Sequence, residues 1–226
     1  EVFNTASHMI GSMLAIVGAL VLVVGSAAQA DAWKIVSFSV YGLSMTNVFV
    51  SSCLHHGLLC PERTNATLRM LDYVAIYPFI AGTFTPLCLV FLHNSWIGWL
   101  FFGVIWAEAV FGIVINTILY NKLPKWMTLT MYLSMGWTGV FLAVPLLPTL
   151  QLRGVALLGL GGIAYTAGGA IFISEAPNPV PGKFGFHELW HIFVLAGAAL
   201  HWALMFFTVL PYRHMGGDAA DMPSSR

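Results

Sequence analysis

Long apolar stretches separated by short polar clusters run along almost the whole chain. Breaking the sequence at its charged and turn-forming residues leaves seven apolar segments, near residues 6 to 28, 35 to 57, 71 to 93, 96 to 119, 127 to 149, 154 to 174 and 187 to 210. Each approaches or exceeds the roughly 20 residues that a helix needs to cross a bilayer. Because unpaired backbone groups are costly in hydrocarbon, and the segments lack the alternation of barrel strands, the pattern predicts helices.

The pattern therefore predicts an all-α membrane protein, a seven-transmembrane helix bundle over residues 1 to 210, with a polar C-terminal tail at residues 211 to 226. The sixth segment is rich in glycine, which inside an apolar span favours close helix packing over a phosphate-binding loop. These glycines are Gly154, Gly159, Gly161, Gly162, Gly168 and Gly169. No internal repeat divides the chain, so a single bundle is expected.

Composition supports lipid as the solvent of most of the chain. The 226 residues are 58% hydrophobic and only 8% charged, with a mean hydropathy of +0.83. A soluble domain needs far more charge on its surface. The formal net charge is zero and the nine Lys and Arg are scattered, so no basic patch for nucleic acid is predicted.

The distribution of positive charge predicts the orientation. With seven spans, the loops on the side of the N-terminus carry Arg63, Arg69, Lys122, Lys125 and Lys183, and the opposite side carries Lys34, Arg153, Arg213 and Arg226. Positive residues favour the cytoplasmic side, so this small excess favours a cytoplasmic N-terminus. We expect a multi-pass protein of the plasma or inner membrane.

Ionisable side chains within the spans are the candidates for function, because each costs about 2.5 to 3.5 kcal/mol on insertion scales. Following the chain through the bilayer places the end of the second span and the starts of the third and seventh at one face. These places hold His55, His56, Asp72, His187 and His191. Topology thus predicts that residues remote in sequence converge at one depth.

The spacing of two of these histidines favours a metal site. His187 and His191 are four residues apart, so a helix stacks them on one face. A third imidazole from the second span would leave one position for water, as in a catalytic zinc site, with Asp72 supplying a nearby carboxylate. Either His55 or His56 can be the third ligand, and each has a serine four residues before it on the same helix face: Ser51 for His55 and Ser52 for His56.

Three further ionisable residues receive no role from the sequence. His8 lies in the first turns of the first span, on the same side as the candidate metal site. His201 is ten residues beyond His191, hence about 15 Å deeper and too far away to share the ion. Glu108 lies in the middle of the fourth span without an identified partner.

Two rival chemistries fit some of the same residues. The segment from His187 to His191 matches H-E-x-x-H, the zincin pattern in which Glu188 would be the general base. That interpretation leaves His55 without a role, so we rank it lower. A haem with histidine ligands is the other rival, but ligands four residues apart crowd one side of a flat cofactor.

Four motifs occur in order along the spans. Glu1, Asn4, Ser7, His8 and Gly11 form the first, Ser51 and His55 form S-x-x-x-H, residues 71 to 77 and 81 to 86 form the third, and residues 186 to 197 form the fourth. These motifs resemble those of hemolysin III proteins, relatives of the adiponectin and progestin receptors and, more distantly, of alkaline ceramidases. The resemblance implies that His55, His187 and His191 bind Zn²⁺, that Asp72 holds the metal-bound water and that Ser51 lies beside the metal.

The leading functional hypothesis is a zinc-dependent hydrolase acting on a lipid amide, with membrane lipids as its surroundings. A ceramide-like substrate is implied by the resemblance alone. The competing hypotheses are a receptor or structural protein in which zinc ties helices together, and a pore-forming cytolysin, for which the spans lack a polar stripe of pore length.

Overall fold

The chain folds into long helices. The computed structural model describes residues 1–120 and 122–214, so the predicted tail lies outside the described residues from position 215 onward. The helices are α1 (Val2–Ala27), α2 (Ala32–Gly57), α3 (Glu62–Phe91), α4 (Trp96–Ile118), α5 (Lys125–Ser174) and α6 (Phe186–Leu204), and a π-helical turn (Met205–Val209) continues α6. The all-helical class is confirmed, and within the described ranges six helices, not seven, are long and apolar enough to cross a membrane.

The difference in number arises in α5. Its 50 residues would extend about 75 Å as a straight helix, more than twice the roughly 30 Å of hydrocarbon in a bilayer. Gln151 interrupts it with φ 55° and ψ 176°. The Nζ of Lys125 lies 2.6 Å from Oε1 of Glu175, so the two ends of α5 meet. The element is therefore folded back on itself at Gln151, with a first half over 125–150 and a second half over 152–174.

Contacts between helix ends define two ends of the bundle. At the proximal end, which we define by Glu1, His56 and His187, the side chain of Asn4 on α1 donates to Oε1 of Glu188 on α6 at 3.2 Å. At the distal end, which we define by Lys34, Gln151 and Tyr212, Arg153 donates to the carbonyl of Phe207. The end of α2 and the starts of α1 and α6 thus share the proximal end.

A buried lysine joins the helices at the distal end. Lys34 is only 1% exposed, and its Nζ donates to Oε1 of Gln29 at 2.6 Å, to the carbonyl of Leu210 at 2.9 Å and to the carbonyl of Tyr212. Asp31 completes the site with Oδ2 at 3.4 Å from the same Nζ. A buried charge is stable only when it is paired and hydrogen-bonded, which these acceptors achieve.

Replacing this lysine should therefore weaken the fold. In Lys34→Met the carbonyls of Leu210 and Tyr212 and the carboxylate of Asp31 lose their shared donor, a loss of about 3 kcal/mol for a buried partner. The apparent melting temperature of the protein in detergent micelles should fall clearly. Lys183→Met, at an exposed position, is the matched control. An equal melting temperature for the two variants would contradict the anchoring role.

Glycines bring the second half of α5 against α6. A Cβ on Gly161 would lie 2.2 Å from Nε2 of His201, and one on Gly197 would lie 2.6 Å from the Tyr165 ring. Each helix thus offers a glycine to a ring of the other, which confirms the close packing predicted from the glycines of the sixth segment at Gly161. Gly159 and Gly162 differ, because a Cβ there would meet open space.

Candidate metal centre and cavity

Three imidazoles gather at the proximal end of the bundle. His56 comes from the last turn of α2, and His187 and His191 come from the first turns of α6. The ring centroids are 5.1 Å apart for His56 and His187, 5.0 Å for His56 and His191, and 5.0 Å for His187 and His191. One nitrogen of each ring lies within 4.8 Å of the others, so the group could hold a metal ion.

The spacing of the nitrogens fits a small tetrahedral cation. Nε2 of His56 and Nε2 of His187 are 3.4 Å apart. Zinc bound to imidazole at 2.0 to 2.1 Å places two tetrahedral ligand atoms roughly 3.3 to 3.4 Å apart. Neutral imidazole nitrogens are ligands that suit zinc, and three of them leave a fourth position open. The donor set and its spacing therefore fit zinc.

Residues at and near the start of α1 contact the ring sides that face away from the centre of the histidine group. Oε2 of Glu1 lies 2.5 Å from Nδ1 of His56, which leaves Nε2 of that ring directed at the other histidines. Ser7 Oγ lies 3.4 Å from Nδ1 of His191, and the ring of His8 stacks on His191 at 3.8 Å. A carboxylate that accepts the outer N–H of a ligand histidine fixes the tautomer and raises its basicity.

The ionisation of Glu1 agrees with this role. Partial burial disfavours the charged carboxylate, but the hydrogen bond from His56 holds the pKa of Glu1 below its ordinary value. The sequence pattern alone predicts no contact for Glu1. The sequence offers one indication of this contact: Glu1 lies at the start of α1, on the side of the membrane where the histidines are predicted to converge.

The structure differs from the predicted ligand set in one residue. It brings together the predicted His187 and His191, but it places His56 against them, while His55 forms a separate group with His56 and Asp72. Consecutive residues of a helix are rotated by about 100°, so the two rings point in different directions, and only that of His56 reaches the histidines of α6, although both lie near Asp72. The serines differ in the same way. Ser52, four residues before His56, lines the adjoining cavity, and Ser51, four residues before His55, is not among its lining residues.

Asp72 reaches the cluster from α3. Its carboxylate lies within 4.8 Å of a nitrogen of His55 and a nitrogen of His56, and it lines the same cavity as Ser52, His187 and His191. The predicted convergence of a carboxylate from the start of the third span with the histidines is therefore present in the structure.

Glu188 caps a helix, whereas the zincin pattern would make it a general base. Its Oε2 accepts from the backbone N–H of Gly185 at 2.8 Å, and its Oε1 accepts from Asn4 at 3.2 Å. This is a capping arrangement at the start of α6. Both oxygens face the helix start and α1, which leaves no carboxylate at position 188 directed at the three imidazoles.

A cavity of about 680 Å³ extends from the histidine cluster into the bundle. Ser52, Asp72, His187 and His191 line its proximal end, and His201 lines it deeper within the bundle. Most other lining side chains are apolar or aromatic and belong to α2, α3, α6 and both halves of α5. The volume is typical of sites for small organic ligands, and the lining suits a hydrocarbon chain.

The fold and the site together define a polytopic helical membrane protein with a three-histidine centre facing an internal cavity. The chain belongs to the haemolysin-III related family, whose model matches residues 1–202. This membership confirms the resemblance that the sequence motifs carry.

Relatives match nearly the whole chain. It is similar to Hemolysin-3 of Bacillus cereus, with 35% identity over 93% of this chain and 92% of the relative. The Hemolysin-3 homolog of Bacillus subtilis (strain 168) is 37% identical over 94% of this chain and 93% of its own. A more distant relative is the human Monocyte to macrophage differentiation factor, which is 27% identical over 88% of this chain and 80% of the relative. These matches connect the chain to the adiponectin and progestin receptor group.

Proposed function

We propose that the protein is a zinc-dependent hydrolase that acts on a lipid amide. The observation that carries the proposal is that His56, His187 and His191 form one group, of which His187 and His191 line an apolar cavity together with Asp72 inside a membrane protein. A metal centre that served only to tie helices together would not need a cavity of this volume beside its open position.

The residues around the centre supply the parts of a hydrolysis reaction. Zinc at the three imidazoles would supply Lewis acidity for the amide carbonyl and for the attacking water. Asp72 accepts the proton of that water and transfers it to the leaving amine, as a general base and then a general acid. Ser52, at the same end of the cavity, donates a hydrogen bond to the oxygen on which negative charge develops.

The substrate class follows from the cavity and its setting. An acyl chain fits the apolar lining, while a polar head at the proximal end brings a carbonyl to the histidines. A ceramide-like amide meets both requirements, and the resemblance to hemolysin III proteins, whose more distant relatives include alkaline ceramidases, supports it. Membrane lipid is then the source of substrate.

The proposed topology has seven crossings, with the two halves of α5 each crossing the membrane once. The meeting of Lys125 with Glu175 and the break at Gln151 support this count. The proximal end, with the N-terminus and the metal centre, then faces the cytoplasm, and the bilayer is the plasma or inner membrane. Positive loop residues are slightly more numerous at the proximal end, which supports this orientation.

A cytolytic function is the second candidate, because a relative is named Hemolysin-3. A pore needs a water-filled path with polar lining, whereas the lining of this cavity is mainly apolar. Zinc-independent release of a dye from lipid vesicles by the purified protein would favour lysis over hydrolysis.

Metal analysis joined to an amidase assay tests the proposal. Purified protein should contain stoichiometric zinc and should release fatty acid from a short-chain ceramide presented in mixed micelles. A chelator should abolish the release, and added zinc should restore it. Well-folded protein without zinc, or zinc-loaded protein that leaves a panel of lipid amides intact, would overturn the hydrolase.

A further inference from the structure

The inner end of the cavity carries two polar atoms that no other atom satisfies within the described part of the chain. These atoms are Nδ1 of His201 and Oη of Tyr165. His201 is only 6% exposed, both residues line the cavity, and their ring centroids are 5.5 Å apart. Buried polar groups are normally hydrogen-bonded, so two neighbouring exceptions on residues that line one cavity call for a partner.

The protonation of His201 follows from its other nitrogen. Nε2 lies 3.2 Å from the carbonyl oxygen of Leu158. A carbonyl can only accept, so Nε2 carries the proton and Nδ1 of the neutral ring presents a lone pair. Tyr165 contributes the opposite function, because its Oη carries a proton without an acceptor. The pair therefore offers one acceptor and one donor.

Close packing holds both rings in place. Gly161 leaves room for the His201 ring, and Gly197 leaves room for the Tyr165 ring. In each helix the glycine and the ring are four residues apart, so they share one face. The two atoms are fixed by the backbones of α5 and α6, as a preorganised binding site requires.

We infer that His201 and Tyr165 form a subsite for a neutral hydroxyl group carried by the lipid chain in the cavity. One hydroxyl donates to Nδ1 of His201 and accepts from Oη of Tyr165, so it satisfies both atoms at once. A charged group would be disfavoured in these apolar surroundings. The subsite lies about 15 Å along α6 from His191, so the hydroxyl belongs well down the chain.

This inference rests on the proposed function, because it assumes that the cavity receives a lipid whose polar head lies at the histidines. The test therefore measures binding and not turnover, and the zinc content of the same sample is determined separately. The probes are ω-hydroxy fatty acids of increasing chain length and the plain fatty acids of the same lengths, with the carboxylate directed to the metal.

At one chain length the hydroxylated probe should bind wild-type protein about tenfold more tightly than the plain acid, as expected for satisfying two buried polar atoms. In Tyr165→Phe the preference should fall towards unity. His201→Gln, in which an amide N–H can still reach the carbonyl of Leu158 but Nδ1 is lost, should do the same. Tyr132→Phe is the control, because that phenol already donates to the carbonyl of Tyr73, and its preference should equal that of wild type.

The outcomes separate the subsite from the proposed function. If zinc-loaded protein binds plain and hydroxylated acids equally at every length, an internal water satisfies the pair and the subsite inference is overturned while the metal centre stands. If zinc-loaded protein binds neither series, both the subsite and the lipid cavity are overturned. A preference that persists unchanged in Tyr165→Phe and His201→Gln also overturns the inference.

Discussion

Asp72→Asn should lower the turnover of a lipid amide by about 10²- to 10⁴-fold, the usual contribution of a general base. The amide has nearly the shape of the carboxylate but cannot accept the proton of the attacking water. The three imidazoles are untouched, so the zinc content should stay at the wild-type level. Initial rates at saturating substrate, beside metal analysis of the same preparation, measure both quantities.

Glu108→Gln is the matched control for this change. It removes a carboxylate from another span by the same chemical substitution, and Glu108 lines neither the cavity nor the histidine cluster. Turnover in this variant should remain within a few-fold of wild type. Equal losses in the two variants would assign the effect of Asp72 to folding, and full activity in Asp72→Asn would remove it from the reaction.

His56→Ala should lower zinc affinity by more than about 100-fold, beyond the 10- to 100-fold cost of losing an outer-shell partner. The loss removes one of three protein ligands and should abolish turnover. The neighbouring His55→Ala provides an exact chemical match, since it deletes the same ring one position away. Because His55 lies outside the group with His187 and His191, its variant should retain zinc.

Competition with a zinc-sensitive dye during refilling of the chelated protein compares the two affinities directly. Retention of zinc in His56→Ala together with its loss in His55→Ala would restore the ligand set predicted from sequence. Loss in both variants would mean that the end of α2 must be intact for the centre to form, and the assignment to His56 alone would fail.

The sequence was sufficient for the features that depend on periodicity and topology. Apolar segments of membrane-spanning length predicted the helical class, and the four-residue spacing of His187 and His191 placed two imidazoles on one face of α6. Alternating passage through the bilayer brought the end of α2 and the start of α3 to the same depth. These inferences need only the rise of a helix and the thickness of the membrane.

Features that depend on helix rotation and on single side-chain contacts could not be predicted. Whether His55 or His56 faces α6 depends on how α2 is turned about its axis, and each had a serine at the same spacing. The zincin pattern at Glu188 could not be distinguished from a helix cap, because both place a carboxylate early in α6. The break at Gln151, by contrast, lies in the gap between the fifth and sixth apolar segments, where the sequence pattern predicts a connection between two spans.

Lys34 and the histidine cluster connect α2 with the α6 segment at opposite ends of the bundle, and the two connections differ in kind. The acceptors of Lys34 belong to the chain itself, whereas under the proposed function the three imidazoles at the proximal end would be held together by an exchangeable ion. Depletion of that ion would therefore release the helix termini at one membrane face and leave the other face pinned. The bundle would then loosen at a single membrane face, and in the proposed enzyme the supply of metal would control the access of lipid to the cavity as well as the reaction.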